Sequence, residues 1–219
     1  MDNKVIKIGL LGLGTVGTGV YKLIGRRSDE MEQKIGANLE IEKILVHNLK
    51  KTRHGIEQSL LTDRWEDIIG NEEIRIVIEA MGGIEPARTM ILEAIAAGKS
   101  VVTANKDLIA EHGRELLEAA REHKVDLLFE AAVAGGIPII RPLKQCLAAN
   151  EIDEVVGIVN GTTNYILTKM IEEGLEFDDV LKDAQQKGYA ERNPEADVEG
   201  HDACRKIAIL TSLAYGKNL

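Results

Sequence analysis

The sequence has 219 residues, 44% of them apolar and 29% charged, which is an ordinary globular composition and excludes a disordered or fibrous chain. A formal net charge of -9 excludes non-specific nucleic-acid binding, which needs a basic surface, and no run reaches the roughly 20 apolar residues of a membrane span. Cys146 and Cys204 stand far apart and make no metal-ligand pattern, so a reduced, cytoplasmic protein is the simplest reading.

Residues 4–11, "KVIKIGLL", read as a buried strand, and 15–26 as a helix. Lys4 and Lys7 ahead of an apolar run resemble a signal peptide, but no small-residue cleavage site follows and the glycines recur at a different kind of spacing. "LEIEKILVHN" (39–48) alternates apolar and polar residues, the pattern of a second strand. "TDRWEDIIG" is predicted to be a short helix capped by Thr62 or Asp63. A third strand follows at 74–80, a helix from Pro86 to Gly98, a fourth strand at 99–104, a long amphipathic helix at 106–124 and a fifth strand at 125–133. Strand and helix alternate with short connections, which predicts parallel strands joined by right-handed crossovers. Residues 1–131 are therefore expected to form an α/β, doubly wound Rossmann-type nucleotide-binding domain.

From residue 132 the pattern changes. "IIRPLKQCLA" (139–148) reads as a short helix, "IDEVVGIVN" (152–160) as a strand, and 162–174, 177–188 and 201–216 as helices. One strand makes no sheet, so residues 132–219 are expected to be part of an α+β substrate or dimerisation domain whose remaining strands lie elsewhere.

Several stretches carry chemistry. Gly12-x-Gly14-x-x-Gly17 falls where a strand passes into a helix. There the first glycine permits the tight bend, the second lets the backbone approach a pyrophosphate, and the third lets helix and strand pack closely. The helix N-terminus adds unpaired N–H groups and a positive dipole end. A purely structural glycine turn is the competing reading. The second strand ends without the carboxylate of an NAD-type ribose site, and Lys50, Lys51 and Arg53 follow, which favours the 2′-phosphate of NADP over NAD unless the loop is simply a solvated basic one. "TANKD" (103–107) sits past a strand's carboxyl end, so Asn105 and Lys106 are expected to face the nicotinamide; helix capping and a surface lysine account for them equally well.

"NGTTN" (160–164) opens a helix with Gly161, Thr162 and Thr163, suited to a carboxylate or phosphate, or to a plain cap. "GYAERNPEADVEGHDACRK" (188–206) packs Glu191, Glu195, Asp197, Glu199 and Asp202 ahead of Arg205 and Lys206. Carboxylates this dense repel one another unless they meet a cation such as a substrate ammonium. Asp202 and Lys206 share a helix face four residues apart, which is usually surface decoration. The apolar "AILTSLA" that follows argues for burial, and a buried lysine beside an acid is a candidate proton donor. "EAAVAGGIPII" (130–140) reads as an interdomain turn that also exposes carbonyl oxygens.

Together "GLGTVGTGV", "VVTANKDLIA", "EAAVAGGIPII", "GIVNGTTNYILTKM" and "GYAERNPEADVEGHDACRKIAIL" closely resemble homoserine dehydrogenases, over essentially the whole chain. The resemblance implies the reversible NAD(P)H-dependent reduction of aspartate 4-semialdehyde to homoserine, a step toward threonine, methionine and isoleucine. It implies that Lys206 is the acid/base and that Lys106 holds substrate and cofactor and assists proton traffic. Glu191, Asp197 and Asp202 would bind the amino acid, with Gly161, Thr162 and Tyr189 lining its site. Leu13, Thr15 and Val16, beside Gly12, Gly14 and Gly17, would contact the NADP or NAD. A sodium-like monovalent cation would fall on the carbonyls of Glu130, Val133, Gly135 and Ile137, and the second domain would make a homodimer. His201 stands where the family usually has leucine, as a space-filler, and His47-Asn48 where Arg-Asn is commoner. The family's chains continue past "AYGKNL", so the expectation is a shortened N-terminal piece, with a non-catalytic dinucleotide-binding module, or a dehydrogenase of another small amino-acid aldehyde, as alternatives.

Overall fold

The computed structural model describes residues 4–217, and the chain divides between Ala132 and Val133 into two compact units. In the first, apolar runs become the strands β1 (Val5–Leu11), β2 (Asn38–Leu45), β3 (Leu61–Thr62), β4 (Ile74–Glu79), β5 (Ser100–Thr103) and β6 (Leu127–Leu128). They form one sheet in the order β3-β2-β1-β4-β5-β6, and every pairing is parallel. Residues 8–11 of the central strand are all buried, as a parallel strand covered on both faces requires. The helices are α1 (Thr15–Arg26), α2 (Ser28–Ile35), α3 (Glu66–Ile69), α4 (Ala87–Ala96) and α5 (Lys106–Glu122). Helix α5 buries Leu108, Ile109, Leu116 and Ala120 at helical spacing, while α4 contributes Ile91, Ala94 and Ile95 to the core. The strand order turns outward in both directions from the β1–β4 pair, and at such a switch point ligands lie against the carboxyl ends of the strands.

Helix α2 was not expected from the sequence, although Asp29 and Glu30 in its first turn and Gly36 at a left-handed φ of 70 just beyond it are ordinary start and stop signals. Thr62 does not cap a helix. It lies in β3, where its hydroxyl bonds Asp67 Oδ2 at 2.5 Å and accepts from the Arg64 N–H at 3.1 Å, and α3 begins only at Glu66. The strand expected over 125–133 shortens to the two residues of β6, because an edge strand has one neighbour only; Glu130–Ala132 then turn as a 3-10 helix. The expected helix at 139–148 is a single π-helical turn, Pro142–Cys146, closed by the Leu147 N–H on the Pro142 carbonyl at 2.9 Å.

The second unit contains α6 (Gly161–Glu173), α7 (Phe177–Gln186), α8 (Glu195–Val198) and α9 (His201–Tyr215). Ile166, Val180, Ala184 and Ala190 form its core, with Tyr165, Met170, Leu181 and Val198 packed around them. The strand expected at 152–160 is absent: among the described residues this unit has no strand. A strand exists only through a neighbour's backbone, and with none available Val156 and Ile158 remain 81% and 75% exposed. Among the described residues no helix is long and apolar enough to cross a membrane.

Candidate nucleotide turn and substrate cleft

The three glycines after β1 have different physical requirements. Gly12 has a φ of +92, and a Cβ there would stand 2.8 Å from the Ala80 carbonyl oxygen. A Cβ on Gly17 would stand 2.1 Å from the Gly12 oxygen, so the helix can pack onto the turn only without one. A Cβ on Gly14 would meet nothing within 4 Å. The middle glycine is thus not demanded by the protein's own packing; it keeps open a surface that a ligand's pyrophosphate can approach. Gly14 is also the N-cap of α1 and supplies no side-chain cap, no acid occupies the first turn, and Gly14, Thr15 and Val16 are exposed. Backbone N–H groups and the positive end of the helix dipole therefore face outward, a setting that fits a dinucleotide's phosphates. Leu13 packs instead against the core beside Ile8 and Leu10.

The loop after β2 is organised by Arg53, whose Nη1 donates to the carbonyls of Asn48 and Lys51, both at 2.9 Å. Asn48 Oδ1 accepts from the Lys50 N–H at 2.9 Å, and Lys50 and Lys51 are exposed. Asn105 is buried and caps α5, its Oδ1 accepting from the Leu108 N–H at 3.1 Å and its amide donating to the Gly83 carbonyl at 2.6 Å. The capping reading thus describes its side chain, and Lys106 follows as the first residue of α5. Behind them lies Glu79, fully buried at the end of β4, which sequence reasoning overlooked. An acid closing the apolar run "IRIVIE" was the available signal.

In the second unit Asn160 holds the site together. Its Oδ1 caps α6 through the Thr163 N–H at 2.8 Å, while its Nδ2 donates to Asp197 Oδ1 at 2.7 Å and to Asp202 Oδ2 at 2.9 Å. One neutral amide thus bridges two carboxylates that would otherwise repel. Lys206 donates to the same Asp202 oxygen at 2.5 Å and to the Val159 carbonyl at 2.7 Å, which leaves the third of its donors for the cleft. The Lys206 side chain is 18% exposed and that of Asp202 9%, so this i,i+4 pair is not surface decoration. The cleft beside them has a volume of about 650 Å³. Gly161, Thr162, Tyr189, Asp197, Asp202 and Lys206, six of the expected residues, line it together with Asn160. Thr162 Oγ1 donates to the Tyr189 carbonyl at 2.8 Å, fastening the wall to the start of α6. Asp197 and Asp202 thus bring two carboxylates to one cleft wall, the kind of group that a cationic ligand needs.

Glu191 is exposed and does not line this cleft. His201 is exposed as well, so it fills no space in the core. Tyr165 sits edge-on to Tyr189 with ring centroids 5.1 Å apart, and its hydroxyl contacts both Asp183 and Lys187. The Asp183 carboxylate, bonded to Lys187, is held below the usual aspartate range, and the same contact raises the Lys187 ammonium well above the usual lysine value. The carbonyls expected for a cation, those of Glu130, Val133, Gly135 and Ile137, fall on a stretch that straddles the boundary between the units. Ala134 and Gly135 there both adopt left-handed φ values, 62 and 56, and the Ile137 N–H closes a turn on the Ala134 carbonyl at 3.0 Å.

Known proteins share this fold. The family model described as "Homoserine dehydrogenase, NAD binding domain" matches residues 12–130, and the one described as "Homoserine dehydrogenase" matches residues 138–219. The homoserine dehydrogenase of Bacillus subtilis (strain 168) is 48% identical over 217 residues, covering 99% of this chain and 50% of its own. The crystal structure of a homoserine dehydrogenase from Thiobacillus denitrificans superposes with a TM-score of 0.91 at 48% identity, over 97% of this chain and 49% of that one. A hyperthermophilic archaeal homoserine dehydrogenase in complex with NADPH matches with a TM-score of 0.84 at 28% identity, over 98% and 71%. The chain spans about half the length of the curated relatives it matches.

Proposed function

The chain belongs to the homoserine dehydrogenase family, and we propose that it carries that family's reaction, the reversible NAD(P)H-dependent reduction of aspartate 4-semialdehyde to homoserine. The observation that carries the proposal is the Asn160-centred cluster, in which Lys206, Asp202 and Asp197 meet on one cleft wall. Asp197 and Asp202 hold the substrate ammonium, and Gly161, Thr162 and Tyr189 shape the space around the amino acid. Lys206 donates a proton to the aldehyde oxygen, and Asp202 stabilises the ammonium form from which that proton leaves. In the reverse direction the lysine takes the proton back from the alcohol.

Residues 1–132 hold the cofactor, with Gly12 and Gly17 shaping the turn and Gly14 and the exposed Thr15 and Val16 receiving its phosphates. When bound, the reduced nicotinamide supplies the hydride. Lys50 and Lys51 lie exposed where a 2′-phosphate would fall, which supports NADP over NAD, and Lys106 at the start of α5 assists in holding substrate and cofactor. Glu191 acts from outside the cleft wall, and the carbonyls of Glu130, Val133, Gly135 and Ile137 would hold a monovalent cation. A cytoplasmic homodimer serving threonine, methionine and isoleucine synthesis completes the reading.

The test is to mix the purified chain with homoserine and NADP at alkaline pH and follow the nicotinamide absorbance. Turnover that falls at least a thousandfold in Lys206→Ala, with NADP binding retained, is the expected outcome, since general acid–base groups contribute about 10²–10⁴ and Lys206 also anchors Asp202. Cofactor binding without turnover in the unaltered chain would make it a dinucleotide-binding module instead. Failure with homoserine but activity on a related amino alcohol would reassign the substrate.

A further inference from the structure

Glu79 is a fully buried carboxyl group for which the proposed chemistry has no use. Its Oε1 accepts from the Met81 N–H at 2.7 Å and the Gly82 N–H at 3.0 Å, and its Oε2 accepts from the Thr103 hydroxyl at 2.5 Å. The same hydroxyl accepts from the Asn105 N–H at 3.0 Å. Asn105 then grips the Gly83 carbonyl with its amide at 2.6 Å and caps α5 with its oxygen. The bonds form a closed circuit. They tie the turn after β4 to the first residues of α5, across the carboxyl ends of two neighbouring strands.

The turn so held is unusual. Gly82 and Gly83 are both left-handed, with φ of 77 and 74, and a Cβ on Gly82 would meet nothing within 4 Å. Two consecutive residues in this conformation cost little only as glycine, and they need outside bonds to hold one shape. Glu79 provides those bonds from beneath. No protein atom lies within 4 Å of a side chain added at Gly82, so this face of the turn is open to a ligand.

Position decides what that is. In a sheet of this order a dinucleotide crosses the switch point between β1 and β4, its adenosine over the β2 side and its nicotinamide over the β4–β5 side. The 81–83 turn and the start of α5 lie on the second side. We infer that Glu79, through Thr103 and Asn105, is a positioning residue that shapes the nicotinamide half of the cofactor site and sets the N-terminus of α5, and with it Lys106. The inference rests on the dinucleotide reading of the glycine turn. It adds that affinity for the two halves of the cofactor is separable, one half depending on a buried circuit that the other does not touch.

The experiment uses the full chain and compares each cofactor with its own adenosine fragment, NADPH with 2′,5′-ADP and NADH with ADP, by titration calorimetry. Thr103→Val removes the hydroxyl while keeping the side chain's shape, Glu79→Gln puts an amide in place of the carboxyl group, and Thr103→Ser restores the hydroxyl. The expected result is a tenfold or greater rise in the dinucleotide Kd for Thr103→Val, a smaller rise for Glu79→Gln, wild-type values for Thr103→Ser, and fragment Kd values within twofold of wild type throughout. Equal weakening of dinucleotide and fragment would mean general damage to the fold and would overturn the inference, as would an unchanged ratio. A wild-type chain that binds neither fragment nor dinucleotide overturns the nucleotide reading itself, and this inference with it.

Discussion

Gly14 and Gly17 are three residues apart, yet substitution by alanine should have opposite signatures. At Gly17 a methyl group would sit 2.1 Å from a backbone oxygen that cannot yield, so Gly17→Ala must separate α1 from the turn, at a cost of about 3 kcal/mol or more. At Gly14 a methyl group meets only open space and φ is an ordinary -81, so Gly14→Ala costs only the roughly 0.5–1 kcal/mol by which alanine is a poorer N-cap than glycine. Its main effect falls on the ligand, with a Kd for NADPH raised at least tenfold. Thermal melts with and without NADPH separate the two cases, and a Gly14→Ala chain that binds normally would remove the phosphate role from that residue. The spacing of the motif and the division of labour among its glycines were legible in the sequence, but the atoms that enforce it were not, because the Ala80 carbonyl that confines Gly12 comes from beyond β4. Glu79 escaped notice for the same reason: its donors come from β5 and from a turn whose conformation no local pattern announces.

Helix α6 shows how a cap can become a site. Aspartate is ordinarily as good an N-cap as asparagine, and alanine costs about 1 kcal/mol. At residue 160 that ranking should invert. Asn160→Ala loses the cap and the two donors to Asp197 and Asp202, whereas Asn160→Asp keeps the cap but sets a third carboxylate against the other two. The aspartate variant is expected to be less stable than the alanine variant at neutral pH, by about 1–2 kcal/mol, with the gap closing as the pH is lowered and the cluster takes up protons. Chemical denaturation at two pH values measures this, and an aspartate variant as stable as wild type would mean that the amide bridge is energetically idle.

The corner between α6 and α7 carries its own pH dependence. The contact with Lys187 depresses the folded-state pKa of Asp183. Its contribution is therefore present above the unfolded-state value, near pH 4, and is lost as the pH falls through the lower folded value. Asp183→Asn should lower stability at neutral pH slightly, because the pair is exposed, and flatten the acid limb by the same small amount, leaving stability at low pH unchanged. Helices α6, α7 and α9 were legible from apolar spacing, while the strand expected at 152–160 was not realised, since alternation records a face to be covered and not the neighbour that covers it.

At the scale of the whole chain, the proposed function is divided as the fold is. The glycine turn, the loop after β2, the Glu79 circuit and Lys106 all precede residue 132, and Asn160, Asp197, Asp202 and Lys206 all follow it. Among the described residues every strand of the sheet pairs within the first unit, which is why its parallel character could be inferred from alternation alone, although the two-residue β3 could not. Residues 1–132 expressed by themselves should therefore fold and bind NADPH with a Kd within about threefold of the full chain. At a hundredfold excess over Kd, binding stabilises by about 2.7 kcal/mol, which for a unit of this size raises the melting temperature by roughly 10 °C. The same piece should show no turnover with homoserine at any concentration, since it lacks Lys206 and both bridged carboxylates. Residual turnover in residues 1–132 would place the proton donor in the nucleotide-binding unit and withdraw that role from Lys206. Loss of NADPH binding would mean that the cofactor site draws on residues beyond 132.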